Sequence, residues 1–156
     1  MGHFRLSPLR GDRILQAYPL VCAAAGELSV EAWRAYVKDM LGARARATKC
    51  CDIVGLCSPN GYLRGLFTYQ VTADLHHGRT LDVEYFALES VYSPRDIIAA
   101  LMAGAEDEAR EHGCSAIHAT TPSGKTKTPS GQNLMSEMLE ARAYIDNSRI
   151  WCKRAD

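Results

Sequence analysis

The sequence predicts one α+β domain spanning residues 1–156, of the α/β class, with a mixed and mostly antiparallel sheet flanked by helices. Two observations carry that expectation. The apolar period changes from helical to strand-like near Cys50 and back to helical after Val91. A strongly amphipathic helix then separates the last strand of a meander from another short apolar run, the pattern of a crossover connection. A chain of 156 residues with 47% apolar content is long enough for one self-sufficient core.

Residues 12–41 read as helical. Ile14, Leu15 and Tyr18 line one face before Pro19 interrupts, so the helix is expected to kink or break near Tyr18, because proline removes an interior hydrogen bond. Ser29 is placed as the next N-cap, with Leu28 and Trp33 positioned as a hydrophobic staple. Trp33, Tyr36, Val37, Met40 and Leu41 repeat at helical spacing as a core stripe, and Gly42 is expected to close the helix.

Strand periodicity follows. Pro59-Asn60-Gly61 is a hairpin signal between residues 52–58 and 62–75. Phe67, Tyr69, Val71, Ala73 and Leu75 alternate with smaller or polar residues. After a turn at His76-His77-Gly78-Arg79, residues 80–90 place Leu81, Val83, Tyr85 and Ala87 on one face. Ile97, Ile98, Leu101, Met102, Ala105 and Ala109 then form one helical stripe over residues 95–112. Residues 115–120 read as a short buried strand, parallel to and beside the third meander strand. Thr-Pro-Ser-Gly occurs at 121–124 and again at 128–131, and residues 122–131 read as a mobile loop over the open end of the sheet. Residues 132–142 form a last helix, and residues 149–153 a closing strand.

Composition narrows the function. Lys and Arg balance Asp and Glu at 18 each, which gives no support for nucleic-acid or anionic-membrane partners. No apolar run approaches the roughly 20 residues of a membrane span, and the amino terminus lacks a signal peptide's apolar segment, so a cytoplasmic protein is expected. The six cysteines, Cys22, Cys50, Cys51, Cys57, Cys114 and Cys152, lack paired zinc spacings and read as free, mostly packed thiols. His76 and His77 are neighbours at a turn that point apart, with no third ligand evident, so no metal is assigned. Residues 119–126 imitate a P-loop with its first glycine changed to alanine. They lead into residues 127–131, which read as loop, whereas a P-loop opens directly into a helix.

One passage resembles a known family. Residues 86–102 read F-A-L-E-S-V-Y-S-P-R-D-I-I-A-A-L-M, similar to the strand-to-helix segment of the GNAT superfamily of N-acetyltransferases. That segment typically reads L-A-V-x-P-x-Y-R-G-K-G-I-G-S-A-L-L. Tyr18-Pro19-Leu20 followed by Leu28-Ser29-Val30-Glu31 is similar to the opening helices of many members. The resemblance implies a GNAT-like fold and transfer of an acetyl group from acetyl-CoA to a small-molecule or protein amine. It also implies that the turn before the helix cradles the pyrophosphate through [R/Q]-x-x-G-x-[G/A], aided by the positive end of the helix. The cofactor-binding positions would be Leu88, whose neighbouring amides polarise the acyl carbonyl, and Ser93, Arg95, Asp96, Ile97 and Ile98.

The motif itself departs from the family pattern at those positions. Ser93, Asp96 and Ile98 stand where the arginine and the two glycines belong, so an aspartate would face the phosphates and a branched side chain would take up cofactor space. Ser93-Pro94-Arg95-Asp96 also reads as a capping box that would satisfy the same amides. Arg95 offers a guanidinium for phosphate. The family's general-acid tyrosine aligns with Leu139, or with Glu140 after a one-residue shift. Glu84 and Glu89 are the candidate general bases, although the plain reading of Glu84 is a solvated strand residue. Two functions stay open. One is an N-acyltransferase; the other is a non-catalytic GNAT-fold binding or assembly protein. A second copy of the chain, as a homodimer, is a further candidate partner.

Overall fold

The computed structural model describes residues 3–89, 93–120 and 129–145, with side chains left out for 129–133. In chain order the elements are β1 (Arg5–Pro8), α1 (Arg13–Gln16), α2 (Tyr18–Ala25), α3 (Val30–Ala45), β2 (Cys51–Cys57), β3 (Leu63–Asp74), β4 (Gly78–Leu88), α4 (Pro94–Glu111), β5 (Ala116–Ala119) and α5 (Pro129–Ala141). The sheet order is β1-β2-β3-β4-β5. The pairs β1–β2, β2–β3 and β3–β4 are antiparallel, and β4–β5 is parallel through α4, as the crossover pattern requires. The expected strand over 149–153 lies outside the described residues.

Each face of the sheet carries its own core. On one side Val54, Leu56, Phe67, Leu81, Val83 and Phe86 pack with the apolar stripe of α4 and with Met135 and Leu139 of α5. On the other, Leu9, Ile53, Leu66 and Ala87 pack with Ala17, Val21, Trp33 and Val37 from the α1–α3 region. A strand covered on both faces reads as a continuous apolar run, and every residue of β2 is buried. Cys51 and Cys57 belong to that run. Cys50 and Cys51 face different helices: the Cys50 sulfur lies 3.4 Å from His112 Nδ1, whereas the Cys51 thiol donates to the Met40 carbonyl at 3.3 Å.

Several local expectations hold. The first helix breaks at Ala17, one residue before the Tyr18-Pro19 step. Ser29 caps α3, its hydroxyl accepting from the Ala32 amide at 3.1 Å. Other expectations are corrected. Gly42 does not close α3, which continues to Ala45. Closure uses Ala47 at φ 53°, with Ala47 and Thr48 amides donating back to Arg44 and Ala43 carbonyls. A left-handed residue after the cap is usually glycine, so the break point could not be placed from Gly42. Leu15 is 44% exposed instead of joining the core. Pro129, Ser130 and Gly131 begin α5 rather than extending the loop, because proline in the first turn sacrifices no helical bond; the rest of that loop lies outside the described residues. β1 is an addition: it is an edge strand, where Pro8 is tolerated.

The most consequential correction concerns β4. Thr68 pairs with Tyr85 and Tyr69 with Val83, leaving Glu84 as the extra residue of a β-bulge. The bulge breaks the two-residue alternation, so Leu81 and Val83 face α4 while Ala87 faces α1–α3, and Phe86 replaces Tyr85 in the core. Tyr85 is 43% exposed.

Gly65 seats α4 against the end of β4. A Cβ there would stand 3.0 Å from Leu101 Cδ1, 3.1 Å from the Ala87 carbonyl oxygen and 3.2 Å from Ile97 Cγ2. The carbonyl belongs to the neighbouring strand and cannot yield as a side-chain end can. Gly65→Ala is therefore expected to lower unfolding stability by about 1–3 kcal/mol in urea titration, the cost of overpacking. An unchanged midpoint would show that α4 is seated otherwise.

Candidate functional site

β5 pairs with β4 only along Thr80, Leu81, Asp82 and Val83, and the Thr120 amide makes one further bond to the Val83 carbonyl at 2.9 Å. β4 itself continues to Leu88. Residues 84–88 thus have β3 on one side and no strand on the other among the described residues. The described pairing with β5 ends at the bulge. Beyond it, α4 starts at Pro94 with Ile97 packed near Gly65, so its N-terminal turn lies toward the open half of β4.

Glu84 lies in a half-open pocket of mixed polar and apolar lining between α3 and the sheet. The cavity, about 180 Å³, is lined by Tyr36, Asp39, Met40, Lys49, Gln70 and Glu84, among others. Tyr36 donates its phenolic hydrogen to Glu84 Oε2 at 2.8 Å, and Gln70 Nε2 donates to Oε1 at 3.1 Å. Thr68 Oγ1 lies 3.1 Å from the same phenol. Tyr36 also stacks on Trp33 and meets Tyr85 edge-on, which fixes the ring. A carboxylate has about four acceptor directions, so one protein donor per oxygen leaves room for a ligand N–H.

The other sequence candidates separate. Glu89, just past β4, is committed to an ion pair with Arg64, and its amide donates to the Arg64 carbonyl at 2.9 Å. Leu88, half-buried, ends β4 opposite Gly65. Ser93 has φ 45° and ψ 53°, left-handed, and its side chain makes no cap hydrogen bond. The capping box is thereby corrected, since a capping serine needs extended backbone to aim its hydroxyl at the helix. Arg95 reaches Glu137 of α5 at 3.2 Å, both groups exposed. Ile97 and Ile98 are buried in the α4 core, so the branched chain of Ile98 fills protein interior, not open space. Asp96 is exposed in the first turn. Leu139 is a core residue and Glu140 is exposed, so neither brings a phenol to the site.

Sequence reasoning missed Tyr36, Gln70 and Thr68. Tyr36 falls in the Trp33–Tyr36 stripe and does pack there, but its hydroxyl reaches through to the sheet. A tyrosine's polar end usually finds a partner when covered, and the acid in the middle of an apolar strand was the available signal.

On the opposite face, Tyr69 donates to Glu108 Oε2 at 2.8 Å and lies 3.2 Å from His112 Nε2. Burial, reinforced by Glu108, raises its phenol well above the usual tyrosine range. Burial likewise raises Tyr36, with Glu84 adding to it.

Comparison with known proteins follows this geometry. No family model matches the chain, and no curated protein matches it. Solved structures do. An aminoglycoside N-acetyltransferase AAC(6')-Iy in complex with the bisubstrate analogue CoA-S-monomethyl-acetylneamine superposes with a TM-score of 0.76 at 12% identity, over 99% of each chain. A ribosomal-protein-alanine N-acetyltransferase from Brucella melitensis biovar Abortus 2308 gives 0.68 at 18% identity, covering 99% of this chain and all of that one (100%). A GNAT family acetyltransferase from Staphylococcus aureus gives 0.71 at 12% identity, again over 99% and 100%. The fold is that of the GNAT-family acetyltransferases.

The raised tyrosines make a pH prediction. Folding opposes ionisation of Tyr36 and Tyr69, so their contribution is complete below the ordinary value of 10.0 and is lost as pH climbs through the raised folded values. In a 295 nm titration, some of the seven tyrosines should ionise late, together with unfolding, and Tyr36→Phe should remove one late phenol. Uniform titration of all of them near pH 10 would contradict the site as described.

Proposed function

We propose that this chain is an N-acyltransferase of the GNAT type, moving an acetyl group from acetyl-CoA to an amine, with Glu84 as the general base. The observation that carries this reading is the Glu84 carboxylate, held by Tyr36 and Gln70 in the pocket under α3 beside the β4 bulge, beyond which residues 84–88 have no second strand among the described residues.

The residues present suit an acyl-CoA. The open edge offers backbone donors and acceptors to an extended, amide-bearing chain, in the manner of strand addition. The Ser93 side chain does not cap α4, and although the Asp96 and Ile97 amides donate to the Ser93 carbonyl at 3.0 and 3.2 Å, the positive helix end can still attract phosphate. Among the described residues Arg95 is held by one exposed pair, of the kind worth about 0–1 kcal/mol, and can turn toward an anion. Acetyl-CoA supplies the activated acyl group as a thioester. Glu84 takes the proton from the attacking amine while Tyr36 and Gln70 keep its carboxylate oriented. Asp39 and Glu84 outnumber Lys49 among the charged groups of the pocket, a net acidic lining suited to a cationic amine, either a small molecule or a protein side chain.

A second reading rests on Asp96. Its carboxylate stands in the first turn of α4, where it complements the helix dipole and repels phosphate. That residue favours a non-catalytic binding protein on the same fold.

Calorimetry with acetyl-CoA and an amine-dependent thiol-release assay separate the two readings. Asp96→Asn is expected to tighten acetyl-CoA binding by about two- to fivefold, the size of one charge at a helix end. Glu84→Gln should bind acetyl-CoA like wild type and lose about 10²–10⁴ in turnover. If neither wild type nor Asp96→Asn binds acetyl-CoA, the binding-protein reading stands instead.

A further inference from the structure

The turn between β3 and β4 holds a cluster that the sequence hides. Asp74 ends β3, His77 sits in the turn and His118 lies on β5. Each offers one ligand atom such that all three atoms lie within 4.8 Å of one another. The third ligand that His76 and His77 lack in sequence is thus supplied by a strand 41 residues beyond His77. Parallel pairing sets His118 opposite Asp82 and brings its ring to 5.5 Å from that of His77.

We propose that Asp74, His77 and His118 form a binding site for a divalent transition-metal ion, Zn²⁺ being the probe of choice. Two imidazoles with one carboxylate are a donor set suited to such ions, with remaining positions left to water. Zinc bonds to these donors run about 2.0–2.2 Å, so ligand atoms around one ion stand up to about 4.4 Å apart. The present 4.8 Å span closes with a small turn of exposed side chains.

Both imidazoles are already oriented by acids. His77 Nδ1 lies 3.0 Å from Asp74 Oδ1, and His118 Nδ1 lies 3.2 Å from Asp82 Oδ1. Asp82 is fixed in turn by hydroxyls of Thr72 at 2.6 Å and Thr80 at 3.1 Å. For His118, whose acid stands outside the cluster, a carboxylate on Nδ1 favours the tautomer whose Nε2 is free to bind metal, the outer-sphere arrangement common around zinc. His77 would ligate through Nδ1, the ion taking the place of its contact with Asp74. Amides of His76 and His77 donate to Asp74 Oδ1, leaving Oδ2 as its open donor atom. These bonds, that of His77 foremost, hold the Asp74 carboxyl below the usual carboxylate range.

The backbone is also set. Ser115 Oγ donates to the His77 carbonyl, and the Ser115 amide donates to the Arg79 carbonyl at 2.8 Å, so turn and β5 are already joined. A metal here would staple the paired end of β4 and β5, opposite the end where they part.

The test uses tag-free, chelator-treated full-length protein titrated with Zn²⁺ by calorimetry, alongside thermal unfolding with and without the ion. Wild type is expected to bind at micromolar Zn²⁺ and to melt higher with it. His77→Ala and His118→Ala should each weaken that equivalent by at least about tenfold. His76→Ala, outside the cluster, should match wild type and control for loss of any histidine from the turn. Circular dichroism of each apo variant establishes that it folds. Failure of wild type to bind at millimolar Zn²⁺ would overturn the proposal. So would equal binding by wild type and the His77→Ala, His118→Ala double variant, which would place the ion on the thiols.

Discussion

One extra residue in β4 organises the end of the sheet that carries Glu84. Without the bulge at Glu84, the strand would keep its alternation and set Tyr85 and Ala87 on the α4 side with Leu81 and Val83. With it, the strand presents Val83 and Phe86 to one core and Ala87 to the other, and Tyr85 joins Glu84 beside Tyr36 of α3. Bulges increase local twist and end pairing, and among the described residues pairing with β5 stops at the residue before the bulge. The same local event brings Tyr85 beside the acid.

Holding the bulge requires both helical layers. The α3 side supplies Tyr36, whose ring is fixed between Trp33 and Tyr85 and whose hydroxyl ties Glu84. The Trp33 indole in turn donates to the Ile14 carbonyl at 2.7 Å, anchoring α3 to α1. On the other side, the close approach at Gly65 lets Ile97 and Leu101 lie flat on the strands that flank the open edge. A second anchor secures the far end of α3. Buried Asp52 accepts from Arg10 at 2.7 Å and from Arg44 at 3.1 Å, joining the segment after β1, β2 and the last turn of α3.

Much of this was legible in the residues. The change of period, the Pro-Asn-Gly turn and the apolar stripe of α4 define the meander and crossover, because each is a local signal repeated several times. β1 escaped because four residues with no alternation carry little pattern. The bulge escaped because alternation continues in the letters through Tyr85 and Ala87, and only the pairing with β3 reveals the extra residue. Ser93 misled in the opposite way: the letters spell a cap, but the left-handed backbone prevents it. Glu84 was read from the family resemblance, while its partners lie 48 residues before it and 14 before it, distances that no local pattern spans.

Under the proposed function, the edge of β4 over residues 84–88 and the start of α4 form one acyl-CoA groove. An NMR titration of ¹⁵N-labelled protein with acetyl-CoA tests it most directly. The account predicts that the largest amide shifts fall at residues 84–88 and in the first turn of α4 around Arg95, Asp96 and Ile97, with β1 and β2 unmoved. Shifts confined to other surfaces, or none at saturating acetyl-CoA, would contradict it.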